Sequence, residues 1–526
     1  MWRNKTKATS GLAALLLIGM VGCAELEVQH PNAPDAERAL ASADDVESLI
    51  AGAYNSWLQS LHYRGFSMAA SAMSFEHTAP WANAGMEFYA RIPRVPVQNV
   101  SGGRDVGNMH RAWIRAYRAI SAIRSGFAAI DEGTVDLGAS RTLRIRAYGR
   151  FMQGLAHATL AIMYDSAFIY DETMDAALEE LELKGYADVM TAALGYFGEA
   201  ATLAGSGSFT IPDTWMSVDV PSATLAQLAH SMAASFRAGV ARTPAERAAV
   251  TWSAVVADVN AGVTADWNND GRCWPHTFCD EGMAYRVFPG WNMAPNWVLG
   301  MADQSGGYQT WLGTATIDKL AFIYQTPDLR FPQGADETAQ LANAGVRFTM
   351  NTGSDGTRIW SRPDRGKWRW SYYYNTPPQF FDFAMDEAGP TTLVSVREGR
   401  LLLAENAYRA GDMGTVASIV NETRVPAGLN TTDAGGTNTS CVPKLPSGSC
   451  GDLWEMFKWE KRLETHWMGP LRNGWWFDGR GWGDLMQGTL LELPVPYREM
   501  QLLLESPYNL GGVGGVSSAP MGTYGY

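Results

Sequence analysis

Charge is scarce in this chain: only 18% of the 526 residues are Asp, Glu, Lys or Arg, and the formal net charge is -13. No Lys/Arg run stands out against that acidic balance, so the sequence is unsuited to phosphate backbones and nucleic-acid binding is excluded. After the first 22 residues no stretch approaches the roughly 18 unbroken apolar residues that a membrane helix needs. No Walker loop, H-E-x-x-H helix motif, nucleophile elbow or dinucleotide fingerprint is convincing, because the glycines do not follow strands. Cysteine is sparse, with five in all.

Aromatic residues, by contrast, are plentiful. The chain has 20 Trp and 20 Tyr, and hydrophobic residues make up 46%. That content suffices for a large core, and the excess of flat rings suggests a binding surface, since rings give much contact area at small entropic cost.

The first residues have the grammar of an export signal. Arg3, Lys5 and Lys7 precede a short apolar run from Leu12 to Val21, and Met20-Val21-Gly22-Cys23 follows the pattern of a bacterial lipobox. The expectation is a lipoprotein signal over residues 1–22, acylation of Cys23 and a polar tether over 23–41. An ordinary signal peptide with a chance cysteine is the plainer alternative. The four remaining cysteines fall as close pairs, Cys273 with Cys279 and Cys441 with Cys450. Export permits disulfides, and local pairing is expected. A four-cysteine zinc site would need tighter spacing and convergence of both pairs.

Helical periodicity dominates residues 42–262. Val46, Leu49, Ile50, Ala53 and Trp57 mark one helix face after Ser42. Further helices are expected over about 105–131, 140–164, 186–204 and 222–241, with small residues alternating with large ones. Thr243-Pro244-Ala245-Glu246 is a capping box that opens a helix running to about 262. Antiparallel helix pairs of the tetratricopeptide kind would need such alternation, although ordinary helix packing produces it too. Residues 64–104 read as loop. Residues 263–390 are rich in Gly, Pro, Asn and Trp without a long period, which marks a functional insert. Helices return over about 391–410, 412–424 and 452–467 within the C-terminal part, 391–526, and its tail reads as irregular.

Three ordered segments resemble the SusD/RagB family of substrate-binding lipoproteins. The first runs from Arg144 to Phe151 and leads to Met163-Tyr164-Asp165. The second spans Val396 to Ala407, with Gly411-Asp412, Asn421 to Arg424 and Ala427-Gly428-Leu429 after it. The third is Trp459 to Glu464, then Gly474 to Asp478, Arg480 to Trp482 and Pro494-Val495-Pro496. The early Gly52-Ala53-Tyr54 fits as well. The resemblance implies a mainly α fold of about four tetratricopeptide-like helix pairs in a right-handed superhelix, carrying the loop-rich insert as one unit. It also implies a surface-exposed outer-membrane lipoprotein, held by its lipid anchor alone. Such a protein needs no cofactor; it binds an oligosaccharide or a peptide and delivers it to a TonB-dependent transporter of SusC type. Two other readings stay open from the residues alone: a secreted carbohydrate-active enzyme with an aromatic cleft, and a helical scaffold that binds only proteins.

Arg397, Glu405, Arg424, Arg462, Glu464, Asp478 and Arg480 sit among apolar neighbours, so Arg–carboxylate forks are expected to fix the C-terminal segment. Glu460 and Glu464, four apart on a helix, could serve as an acid/base couple, but countless solvated pairs share that spacing. Ligand contacts are expected from rings with polar neighbours. These are Trp81 and Asn83 in the first loop, and Trp291, Asn296, Trp297, Tyr308, Trp311, Trp368 and Trp370 in the insert. The family resemblance makes Trp81 the leading contact. The plainer alternative is that most of these rings simply pack the irregular region. Asp266, Asn268 and Asp270 match the first half of a calcium loop, but Thr277 occupies the place of its closing carboxylate, and a turn is expected there.

Overall fold

The computed structural model describes residues 40, 42–61, 65–78, 80–81, 85–104, 106–174, 181–274, 276–287, 292–351, 366–375 and 386–526. The signal segment, Cys23, Asn83 and Trp291 lie outside the described residues.

The fold is mainly α. Ser42 caps α1 (Ala43–Ala51) by accepting from the Asp45 amide, and α2 (Ala53–Leu58) follows across Gly52. Val46, Ile50, Ala53 and Trp57 are all buried, so the expected apolar face is the packed one. Next come α3 (Phe66–Met73), α4 (Met86–Tyr89), α5 (Val106–Asp131), α6 (Gly138–Met163), α7 (Tyr186–Gly205), α8 (Ser222–Gly239), α9 (Pro244–Ala248) and α10 (Trp252–Ala261). Each long helix packs on its successor: α5 on α6, α6 on α7, α7 on α8, and α8 on α10. The insert carries the short α11 (Gly307–Gly313), and the array then resumes beyond it. α12 (Val396–Arg409) packs on α10, α13 (Met413–Arg424) on α12, and α14 (Leu453–Glu464) on α13.

Glycines set how closely these helices approach. A Cβ on Gly149 would lie 2.3 Å from the Phe127 ring, and one on Gly154 would lie 2.8 Å from Phe197. Gly149→Val is expected to destabilise the protein by about 1–3 kcal/mol through overpacking. Gly195→Ala, on an open helix face, should instead gain a few tenths of a kcal/mol to about 1 kcal/mol. Urea unfolding of the two variants checks this; equal stabilities would mean that the α5–α6 contact yields freely.

Four expectations need correction. The helix expected over 244–262 is broken at Ala249–Thr251, and the break leaves Arg247 fully buried against Glu405. Residues 64–104 contain α3, and the tail contains α15 (Gly474–Trp482). Both are buried on every side, so neither shows an amphipathic period. The Asp266–Gly271 stretch is neither a calcium loop nor a turn. Its core is strand β1 (Trp267–Arg272), where Asn268 accepts from the Thr392 hydroxyl, while Asp266 accepts from the Val396 amide that opens α12.

Strands occur among the described residues only as two-stranded antiparallel pairs. Inside the insert, β2 (Phe348–Met350) pairs with β3 (Tyr373–Asn375). At its base β1 pairs with β4 (Ala388–Val394), from Trp267 opposite Val394 to Arg272 opposite Ala388. This pair ties the two ends of the insert together. The insert holds its own core, in which Phe331 stacks on Phe348 at 4.5 Å and both pack near Trp459 of α14.

The expected charge forks form in part. Glu405 is held bidentately by Arg247 at 2.9 and 2.6 Å. Asp478 pairs with Lys461 at 2.8 Å, Arg462 with Asp484 at 2.5 Å, and Glu464 with Arg347 at 2.8 Å. Arg397 does not follow: its side chain is 39% exposed and 3.5 Å from Glu422. Arg424 is buried but donates to the carbonyls of Asn430 and Val442 and to Asn438, with Glu460 only at 4.0 Å. Arg480 donates to the carbonyls of Ile162 and Gly239, at the C-terminal ends of α6 and α8. Those terminal carbonyls have no partner within their helices, so a buried guanidinium meets them in place of a carboxylate.

Candidate functional site

β1 runs directly into a loop closed by the Cys273–Cys279 disulfide; Cys441 and Cys450 form the second disulfide. Arg272 and Thr277 exchange two backbone hydrogen bonds across the loop, each 2.8 Å. Its return strand lies so close that a Cβ on Gly271 would sit 2.0 Å from the Phe278 carbonyl oxygen, which only glycine permits. The described part of the loop therefore stands as a short, tightly bridged finger. At its tip Trp274 is 73% exposed, the only exposed large aromatic side chain among the described residues. Its indole is not loose: Nε1 donates to Glu387 at 3.0 Å, and the His276 ring lies 5.0 Å away. A large ring held in water by a disulfide, a hydrogen bond and a neighbouring ring is a preorganised contact surface.

Three clefts meet at His276. One, about 530 Å³, runs between α1–α2 and Trp215, past Glu47 and Asn55. A second, about 280 Å³, is walled by Asn55, Gln59, Arg111, Arg115 and Glu281. The third, about 230 Å³, lies under Trp274, between Tyr285 and Glu387. Ring, hydroxyl, amide, guanidinium and carboxylate groups thus alternate around one finger. That mixture suits a ligand with apolar C–H faces and a polar rim.

The sequence passed over Trp274, although its signal was present: an indole inside a six-residue disulfide spacing has nowhere to bury itself. The residues it did single out fall into two groups. The first lies nearer the surface. Thr78 exchanges hydrogen bonds of 2.7 and 2.8 Å with Met293, Ala294 donates to Tyr373 at 2.7 Å, and Ser371 donates to Ala294 at 2.8 Å. Arg369 reaches Glu87 of α4 at 3.2 Å. The segments around Thr78, Met293, Ser371 and Tyr373 are thereby hydrogen-bonded to one another, and Trp81, Trp368 and Trp370 are each half-buried. Burial pushes the Glu87 carboxyl up, but Arg91 and Arg369 outweigh it and hold it below the usual carboxylate range. Met86 of α4 and Tyr285 of the third cleft pack in one cluster, so α4 lies beside the finger.

The second group is interior. Asn296 is fully buried and accepts from Tyr324 at 2.6 Å. Tyr308 is fully buried and donates to the Trp297 carbonyl, while Trp297 and Trp311 are 6% and 4% exposed. These rings form the insert's core, as an irregular segment must supply its own apolar filling. Glu76 and His77, beside the first loop, are buried as well. Glu76 accepts from the Trp467 amide at 3.0 Å, and burial pushes its carboxyl up to about 7. Burial, and then the charge of Arg286, push the His77 imidazole well below its usual range. Glu460 is engaged by Arg330 at 2.7 Å and Thr423 at 2.9 Å, and Glu464 by Arg330 and Arg347, so the two carboxylates are paired structural groups.

No helix among the described residues is long and apolar enough to cross a membrane. No family model and no curated protein sequence matches the chain. Solved structures do. A SusD superfamily protein from Bacteroides vulgatus aligns with a TM-score of 0.51 at 13% identity, covering 84% of this chain and 88% of that one. A SusD-like protein from Bacteroides fragilis aligns at 0.52 and 13% identity, covering 84% and 86%. Surface glycan-binding protein A from Bacteroides thetaiotaomicron aligns at 0.53 and 9% identity, covering 89% of this chain and 99% of that one. A mainly α helix array interrupted by one strand-closed insert, matched over more than four fifths of its length by these structures, is the SusD-like fold.

Proposed function

We propose that the chain is a carbohydrate-binding lipoprotein of the bacterial outer surface, anchored through Cys23, which presents an oligosaccharide to a TonB-dependent transporter. The observation that carries the binding half is Trp274: an exposed indole fixed by Glu387 and a disulfide, lining one of three clefts that meet at His276. Trp81, Trp368 and Trp370 supply further rings, with Asn83 and Trp291 in the neighbouring stretches of sequence. The fold likeness to a surface glycan-binding protein supports the same reading, and the lipobox and the ordered motifs support the location and the transporter. The role is capture rather than turnover, since the helix-borne carboxylate pair is already tied up in ion pairs.

A glycan array on the mature chain, followed by calorimetry with the best oligosaccharide, tests the proposal. Trp274→Ala and Trp81→Ala are each expected to weaken binding by about tenfold or more, the loss typical of a buried aromatic anchor. Unchanged affinity in both variants would overturn the site. Recovery of a large β-barrel protein with the chain from outer membranes is expected, and repeated recovery of the chain alone would overturn the delivery role.

A further inference from the structure

Of the three clefts around the finger, the one above α5 differs in charge. Arg111 and Arg115, one helical turn apart, line it together with Asn55 of α2, Gln59 just beyond α2, His276 and Glu281. Two guanidiniums and one carboxylate line this cleft, in a chain whose net charge is -13. Arg118, the next turn along, adds a third guanidinium to the same stretch of helix. Burial, and then the like charges of Arg118 and Arg111, hold the Arg115 guanidinium below its usual value. A half-buried cation beside two like charges gains from an anion, because a guanidinium pairs bidentately with a carboxylate or sulfate. The cleft is contiguous with the indole: His276 and Glu281 line both this cleft and the one under Trp274.

We infer that the cleft between α2, α5 and the disulfide finger is a subsite for an anionic sugar, with Arg115 taking its carboxylate or sulfate while Trp274 stacks on an adjacent ring. The inference rests on the carbohydrate-binding reading above and narrows it to acidic glycans. The amides of Asn55 and Gln59 would meet the hydroxyl rim of the same residue.

Calorimetry on the mature chain with three probes of equal length tests it: an oligogalacturonate bearing carboxylates, a κ-carrageenan oligosaccharide bearing sulfates, and a neutral β-1,4-galactan oligosaccharide. At least one acidic probe is expected to bind about tenfold or more tighter than the galactan, and the margin should shrink with added salt. Which acidic probe wins distinguishes carboxylate from sulfate. Arg115→Gln should remove the margin, Arg115→Lys should keep part of it, and Trp274→Ala should weaken all binding alike. Far-ultraviolet circular dichroism of the variants confirms folding. Galactan bound as tightly as either acidic probe, with Arg115→Gln silent, would overturn the acidic subsite and leave the carbohydrate reading intact. Failure of all three probes would overturn the subsite too, and the glycan array above then decides separately whether any carbohydrate binds.

Discussion

Replacing Arg330 by methionine is expected to destabilise the protein by about 3–5 kcal/mol, the range for removing one partner from a buried charge cluster. Arg330 is buried in the insert and holds three carboxylates. It meets Asp328 at 2.9 and 2.8 Å, Glu460 at 2.7 and 3.1 Å, and Glu464 at 3.2 Å. Asp328 and Glu460 are both fully buried. Without the guanidinium, Asp328 keeps the Trp459 indole at 3.1 Å, and Glu460 keeps the Thr423 hydroxyl at 2.9 Å with Arg424 only at 4.0 Å. Neither arrangement neutralises a buried carboxylate. Burial already pushes the Glu460 carboxyl up against the pull of Arg330, so it is the group that protonates once the cation is gone. The double variant Arg330→Met with Glu460→Gln should therefore recover part of the loss, since an uncharged amide can still bond Thr423. Urea unfolding followed by tryptophan fluorescence reads both. A single-variant loss below about 1 kcal/mol, the size of a solvated surface pair, would show that the cluster is not a buried junction. The expected size matters for function because the cluster joins the insert, through Asp328, Arg330 and Arg347, to α13 and α14. It fixes the frame on which the binding segments are hung.

What could be read from the sequence follows from which faces are buried. α5, α7 and α8 bury one stripe each, so Ile120, Ile123 and Phe127, or Leu225, Leu228 and Met232, announce a helix by their spacing. α3 and α15 are equally helical, yet every side of them is covered and no stripe remains to be seen. The same limit blurred the site. Composition places rings in the insert but does not say which way they point. Tyr308 and Trp311 point into a core that the insert had to build for itself, while Trp274 points outward because its disulfide loop is too short to cover it. Cysteine pairing was legible, being a matter of nearness along the chain. The partners of charged residues were not, since Glu405 finds Arg247 from 158 positions away and Arg480 finds helix ends instead of an acid.

That Arg247–Glu405 fork carries the second large effect, and its size should depend on pH. Arg247 is fully buried and bonds both Glu405 oxygens and Asp478, at 3.0 Å, so Arg247→Met is expected to cost about 3 kcal/mol at neutral pH. The loss falls at the lower end of the range because other cations remain: Arg409 lies 2.7 Å from Glu405, and Lys461 lies 2.8 Å from Asp478. Burial pushes the Glu405 carboxyl up, but Arg247, Lys461 and Arg409 outweigh it and hold it well below the usual carboxylate range. A carboxyl depressed on folding stabilises the native state above its unfolded pKa, about 4.3, and that contribution fades as pH falls through the lower native value. In Arg247→Met the native value moves back up, so the variant has less of this contribution to lose on acidification. The gap between wild type and variant should be widest near pH 7 and should narrow steadily below about pH 4. Urea midpoints measured for both proteins between pH 7 and pH 3 follow the gap directly. A gap that stays constant over that range would assign the loss to the packing of the Arg247 stem against Trp252 and Gly481, and not to its charge.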